Sequence, residues 1–182
     1  MARCYSDAMN RRQPLPAIWL ISDARNDAAL DRALMRLPRG SGLIFRHYHL
    51  PQDERLARLR QLQRIARARG HMVALAGSAA QARRRKAQAA YGADLARGPG
   101  LTRLVTIHSL RELRRAARAD AVLLSPVFPT RSHPGGMVLG PLRWRTIAAL
   151  ARVPVIALGG MDARRAARLK ARHWAGIDAF LR

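Results

Sequence analysis

The chain has 182 residues, of which 49% are hydrophobic, and a formal net charge of +23 at pH 7. That length suits one domain with a single sizeable core, which excludes both a mini-protein and a two-domain enzyme. The charge raises nucleic acid and anionic membranes as partners; but only Lys86 and Lys170 are lysines, the arginines spread along helical segments, and aromatics at 5% are too few for a base-stacking platform, so nucleic acid stays a minority expectation.

Residues 1–16, MARCYSDAMNRRQPLP, lack the apolar core of a signal peptide and read as a partly disordered leader closed by Pro14 and Pro16, which leaves 17–182 as the domain. Cys4 is the one cysteine, so no internal disulfide can form, in keeping with a reducing cytoplasm. No apolar run approaches the ~20 residues of a membrane span, and no membrane partner is expected.

Ala17 to Ser22 (AIWLIS) is a continuous apolar run, the pattern of a strand buried on both faces, and Asp23 closes it. Leu30, Leu34 and Leu37 predict a helix over Asn26 to Leu37, stopped by Pro38-Arg39-Gly40. Gly42 to Arg46 (GLIFR) is a second buried strand with a charged end. The clearest helix is Asp53 to Arg69, where Leu56, Leu59, Leu62 and Ile65 form one stripe and Gly70 sits at the C-terminal cap. Met72 to Ala76 is a third strand. An alanine-rich helix follows over Ala79 to Ala90, its Arg83 to Lys86 run reading as a solvated face. Ala93 to Ala96 is a weak fourth strand and Arg103 to Ile107 a fifth, with only RGPGLT between them, too short for a helix.

Ser109 and Glu112, three apart, predict a capping box that opens a helix running to about Arg118. The sixth strand, Ala121 to Ser125, gives way to PVFPTRSHPGG, whose prolines and glycines end regular structure. A helix over Arg143 to Arg152, a strand over Val153 to Leu158, Gly159-Gly160, a helix capped by Asp162 and a last strand over Gly176 to Leu181 complete the order.

Apolar runs alternating with amphipathic helices require a parallel sheet with crossovers, and an eight-strand count favours closure into a barrel. The expected fold is therefore α/β, a single (β/α)8 TIM barrel, trimmed in that the helix after strand 4 and the final helix are short or absent. The two bare outer faces would be covered by the leader or by a partner, such as a second copy of the chain. In this fold Asp23, Arg46, His108, Ser125 and Gly159-Gly160, all at strand ends, share the rim where chemistry sits.

The proline-rich loop carries Thr130, Arg131, Ser132 and His133: two hydroxyls, a permanent cation, a titratable ring and no carboxylate. That set suits a phosphate, and equally describes a surface loop in an arginine-rich chain. Two glycines before a capped helix expose N–H groups to an anion. His108 is placed either for proton transfer near neutral pH or as a structural hydrogen-bonder.

Four stretches, WLISD at Trp19 to Asp23, TIHS at Thr106 to Ser109, GADLA with AVLLSPVFPTRSHPG, and VPVIALGGMD, occur in an order that resembles the thiamine phosphate synthase family and its sister, the thiazole tautomerases, from Trp19 to Leu181. The resemblance implies a thiamine-biosynthesis barrel with small phosphorylated thiazole and pyrimidine ligands at its rim. It implies substrate contacts from the loop hydroxyls Thr130 and Ser132, with Thr106 and Ser125 as further candidate binding residues, a thiazole-phosphate turn at Gly159 and Gly160, and a diphosphate held by His133 and by Arg46, the latter as a catalytic residue. It also implies a catalytic acid/base at His108 in the tautomerase branch.

Departures from the family pattern accompany these matches. Ile44 and Phe45 precede Arg46, and His47 and Tyr48 follow it, where synthases carry a glutamine before and a lysine after. Ala76-Gly77 replaces an asparagine-aspartate that binds magnesium. A second magnesium aspartate belongs after the fourth strand, in the linker shortened here to RGPGL, and His133 replaces a lysine. No metal ligand is therefore assigned; magnesium is the cofactor the family implies, with its carboxylates missing. The resemblance leaves three activities open. One is the synthase reaction, joining thiazole phosphate to hydroxymethylpyrimidine diphosphate with release of diphosphate. The others are a metal-independent tautomerase using His108 and a non-catalytic barrel that binds a phosphorylated ligand or a protein.

Overall fold

Eight short strands, β1 (Ile18–Ile21), β2 (Gly42–Phe45), β3 (Met72–Ala76), β4 (Ala89–Tyr91), β5 (Thr102–Ile107), β6 (Ala121–Leu124), β7 (Val155–Ala157) and β8 (His173–Gly176), pair in parallel in chain order. β8 returns to β1 with Ala175 opposite Trp19, closing the expected (β/α)8 barrel. The structure is a computed structural model that describes residues 14–92, 100–116, 118–132 and 134–180. Around the barrel lie α1 (Asp27–Arg36), α2 (Gln52–Arg69), α3 (Ala79–Arg84), α4 (Leu110–Arg115), α5 (Gly140–Ala149) and α6 (Ala163–Leu169).

Successive strand residues point to opposite faces, so every strand feeds two cores. Trp19, Ile21, Ile44, Met72, Leu104 and Ile156 fill the lumen. On the outside, Leu20, Leu43, Phe45 and Leu75 pack under α1 and α2, while Val122, Leu124 and Ala157 pack under Trp144 and Ile147 of α5. The Trp19 indole takes the space above Gly42, where a Cβ would lie 2.1 Å from the ring. Its Nε1–H donates to the Pro16 carbonyl at 2.9 Å, and the Trp174 N–H donates to the Ala17 carbonyl. Residues 14–17 therefore close the N-terminal mouth; residues 1–13 of the expected leader lie outside the described residues.

Three expectations are corrected. The alanine-rich helix ends at Arg84, and the fourth strand is Ala89–Tyr91, not Ala93 to Ala96, which lies outside the described residues. Alanine favours helix, but pairing with β3 and β5 draws Ala89 and Ala90 into the sheet, where both are fully buried. Gln88 secures the start of the strand, its Oε1 accepting from the Val73 N–H at 2.9 Å. No helix occurs between β4 and β5 among the described residues. The last strand is His173–Gly176, not Gly176 to Leu181, and a 3-10 turn over Asp178–Phe180 follows it. Phe180 stacks on Trp174 at 5.2 Å, on the outer side of the barrel.

Two polar groups in this framework carry predictions. Arg103, 8% exposed, is held by Asp120 through its backbone N–H at 2.8 Å, its Nε at 2.9 Å and a terminal nitrogen at 3.1 Å. Asp120→Ala strands a buried guanidinium and should cost about 3 kcal/mol in denaturant unfolding, most of it recovered in the Asp120→Ala/Arg103→Leu pair.

His71 is buried, with Nε2–H donating to the Leu34 carbonyl at 3.0 Å and Nδ1 unpartnered among the described residues. Burial, with Arg69 and Arg39 nearby, lowers its pKa against the opposing carbonyl. The unfolded chain then takes up the proton first, so stability is full above the ordinary value near 6.5 and falls as pH drops below it. His71→Gln should flatten the melting temperature measured between pH 7 and pH 5.

Candidate functional site

Period-2 alternation decides which residues reach the C-terminal mouth. Continuing the lumen-facing positions along each strand gives Arg46 after Ile44, Thr106 and His108 after Leu104, Ser125 after Leu123, and Leu158 after Ile156. Those residues line a cleft of about 1260 Å³ together with Thr130, Ser132, Gly159 and Gly160. His133 lies outside the described residues, and Asp23, expected on the same rim, does not line the cleft but is bound by Arg25, which does; the structure brings the other expected site residues together.

The floor of one side is the turn after β7. Gly159 and Gly160 have φ of +95° and +59°, and a Cβ on them would meet Pro126 Cα at 2.6 Å and the Pro129 carbonyl at 2.5 Å. The proline loop therefore rests on the glycine turn, and the Val127 and Phe128 N–H groups donate to the Leu158 and Gly159 carbonyls at 2.9 and 3.1 Å. Arg165 bonds the Gly160 carbonyl and lies over the Phe128 ring at 5.0 Å. With those carbonyls engaged, the N–H groups of Gly159, Gly160 and Met161 donate to no described backbone group. Such successive N–H groups form an anion cradle. Asp162 caps α6 as expected, accepting from the Arg165 N–H at 2.7 Å. Because α6 spans only seven residues, the cradle rests on the turn rather than on a long helix.

Opposite the turn stands Arg46, half-buried, making no close ion pair among the described residues, though its charge acts on Asp23. Its backbone is clamped on both sides: the N–H donates to Ser22 Oγ at 2.8 Å, and the carbonyl accepts from Arg55 Nε at 2.8 Å. His47 is buried behind it, with Nδ1 2.8 Å from Ser22 Oγ and Nε2 2.9 Å from Asp27 Oδ1. Burial lowers the His47 pKa, against the raising effect of Asp27.

His108 projects into the cleft, and its Nδ1 lies 2.8 Å from the Ser125 carbonyl. A carbonyl only accepts, so Nδ1 donates its N–H there, and Nε2 has no partner among the described residues. Glu112 orients the same residue through the His108 backbone N–H at 2.9 Å. The expected capping box is therefore half-formed: Ser109 Oγ accepts from the Glu112 N–H, while the Glu112 carboxylate reaches His108 and the Ser109 hydroxyl.

Two participants escaped the sequence reading. Arg25 bridges three parts of the rim, with Nε 2.8 Å from Asp23 Oδ1, one terminal nitrogen 3.4 Å from Asp178 Oδ2, and the other donating to Ser132 Oγ at 2.9 Å. It ties the proline loop to the ends of β1 and β8. Burial alone would raise the Asp23 pKa, but the Arg25 hydrogen bonds and the charges of Arg25 and Arg46 hold it below the usual range. Tyr91 ends β4, and its phenol accepts from Thr106 Oγ1 at 2.8 Å. Its signal was masked once Ala79 to Ala90 was read as helix.

A hard cation finds a poor fit among the described groups. Asp23 and Asp178 are bound by Arg25, Asp162 caps α6, and β3 ends in Ala76-Gly77 as the sequence reading noted. The linker after the fourth strand is longer than expected, however: with β4 at Ala89–Tyr91, Asp94 follows the strand in sequence, and residues 93–99 lie outside the described residues. Arginines 25, 46, 131, 164 and 165 line the cleft against Asp162 and Asp178, a balance that favours anionic ligands.

The pattern of the family described as thiamine monophosphate synthase matches residues 18–180. None of the curated protein sequences matches the chain. Among solved structures, thiamine phosphate pyrophosphorylase from Pyrococcus furiosus is similar at 22% identity, covering 93% of this chain and 89% of its own, with a TM-score of 0.73. FabK from Thermotoga maritima is similar at 18% identity over 91% of this chain and 58% of its own, with a TM-score of 0.67. Citrate synthase SbnG is similar at 9% identity over 89% and 86%, with a TM-score of 0.58. These structural likenesses establish the barrel alone. Among the described residues no helix is long and apolar enough to cross a membrane.

Proposed function

The chain belongs to the thiamine monophosphate synthase family, and from that premise we propose that it works in thiamine biosynthesis, binding a phosphorylated thiazole in the cleft. The observation that carries this reading is the N–H turn at Gly159 and Gly160, which faces the same cleft as Arg46 and His108. The turn takes the phosphate. Thr130, Ser132 and Met161 border the space left for the ring. In the joining reaction the thiazole nitrogen bonds to the pyrimidine methylene carbon as the carbon–oxygen bond to diphosphate breaks. Arg46, a cation already held by two backbone bonds, stabilises the charge growing on that leaving group. Magnesium, which the family implies, finds a poor fit among the described carboxylates of the rim, Asp23, Asp162 and Asp178, all of them already engaged.

A second reading, the tautomerase, is favoured by His108. With Nδ1–H held by the Ser125 carbonyl, Nε2 is ready to take a proton from a thiazole carboxylate phosphate and return it elsewhere on the ring.

Titration calorimetry should give at least tenfold tighter binding for hydroxyethylthiazole phosphate than for the dephosphorylated thiazole; equal affinities would remove the turn as phosphate site. Incubation with both synthase substrates and magnesium, followed for diphosphate, then separates joining from isomerisation, which proton NMR follows on the thiazole carboxylate phosphate alone.

A further inference from the structure

We propose that Asp27, His47 and His49 form a binding site for one divalent transition-metal ion of the zinc class, outside the cleft, where the N-terminus of α1 meets the loop after β2. One carboxylate oxygen and two imidazole nitrogens there lie within 4.8 Å of one another. Tetrahedral zinc holds such ligands at ~2.0–2.2 Å, so its ligand atoms stand about 3.3 Å apart. His47 Nε2 and Asp27 Oδ1 are 2.9 Å apart, so an ion enters between them on an opening of a few tenths of an ångström. The His47 and His49 ring centroids are 4.9 Å apart, and two imidazoles on one tetrahedral zinc have centroids about 5 Å apart.

The surroundings support the same reading. A ligating histidine usually has its second ring nitrogen held by a neighbour. Here His47 Nδ1 meets Ser22 Oγ at 2.8 Å, and the His47 ring stacks on Phe45 at 4.7 Å. Arg58 Nε bonds Asp27 Oδ1 and orients the carboxylate, while Asp27 Oδ2 makes no described hydrogen bond. The His49 ring is exposed, so it is free to turn onto an ion. Two nitrogens and one oxygen suit zinc, cobalt or nickel over magnesium, which separates this site from the cation question at the cleft. An ion bound here staples α1 to the loop behind Arg46.

The test takes full-length protein stripped with a chelator and titrates zinc by calorimetry and cobalt(II) by visible absorption. One ion per chain is expected, with cobalt d–d bands of a tetrahedral site and a rise in melting temperature on adding zinc. His49→Ala removes an exposed ligand and should weaken zinc at least tenfold with an unchanged far-UV spectrum; Cys4→Ser should leave binding intact. Zinc binding that survives His49→Ala, that is lost in Cys4→Ser, or that is absent from the wild type overturns the site.

Discussion

Gly159→Ala is expected to abolish thiazole phosphate binding and to lower stability by about 3 kcal/mol. The cost has two physical sources. A φ of +95° lies where an L side chain is strained, at about 1–3 kcal/mol. The new Cβ would also stand 2.6 Å from Pro126 Cα and 3.1 Å from the Val127 nitrogen, against backbone that cannot swing aside. Relief requires moving the proline loop off the turn, which breaks the Val127 and Phe128 N–H bonds to the Leu158 and Gly159 carbonyls and tilts the N–H cradle away from the anion. Gly135→Ala is the control: its φ is +73°, but nothing lies within 4 Å of the added Cβ, so only the conformational cost of about 1 kcal/mol remains. Calorimetry and denaturant unfolding on both variants decide the matter. Wild-type phosphate affinity in a folded Gly159→Ala protein would show that the cradle lies elsewhere.

His108→Gln should lower kcat for proton transfer on the thiazole carboxylate phosphate by about 10²- to 10⁴-fold, the range for losing a positioned acid/base. Glutamine retains an N–H that can reach the Ser125 carbonyl, which His108 Nδ1 meets at 2.8 Å, but it offers no base near neutral pH. His108 is exposed and donates to the Ser125 carbonyl rather than to any group of the glycine turn, so the thiazole phosphate Kd should stay within about threefold. Stopped-flow or NMR turnover with separate Kd measurements reads the split. Unchanged turnover would reduce His108 to a hydrogen-bonding part of the β5 end.

The rim was legible in the sequence wherever a strand was read in the right place, because period 2 carries the lumen face forward to the first polar residue beyond the strand. Ile44 leads to Arg46, Leu104 to Thr106 and His108, and Leu123 to Ser125. It failed at β4, where Ala89 and Ala90 have the composition of a helix and become a strand only through long-range pairing with β3 and β5. Tyr91 was lost with that strand, and the argument about a missing second carboxylate was set in the wrong segment. Arg25 was invisible for another reason. Its partners Ser132 and Asp178 are 107 and 153 residues away, and no local pattern announces them.

By itself, the order of apolar runs and amphipathic helices determined the parallel barrel, and its four motif stretches determined the family, since both depend on local periodicity and on residue identity at short spacing. Only the tertiary structure decided that the glycine turn lies under the proline loop, that the His108 ring is held through Nδ1 by the Ser125 carbonyl, and that Asp27 meets His47 and His49. Each of those depends on side chains converging across strands distant in the chain, and convergence is a property of barrel closure and register, which single-chain patterning does not encode.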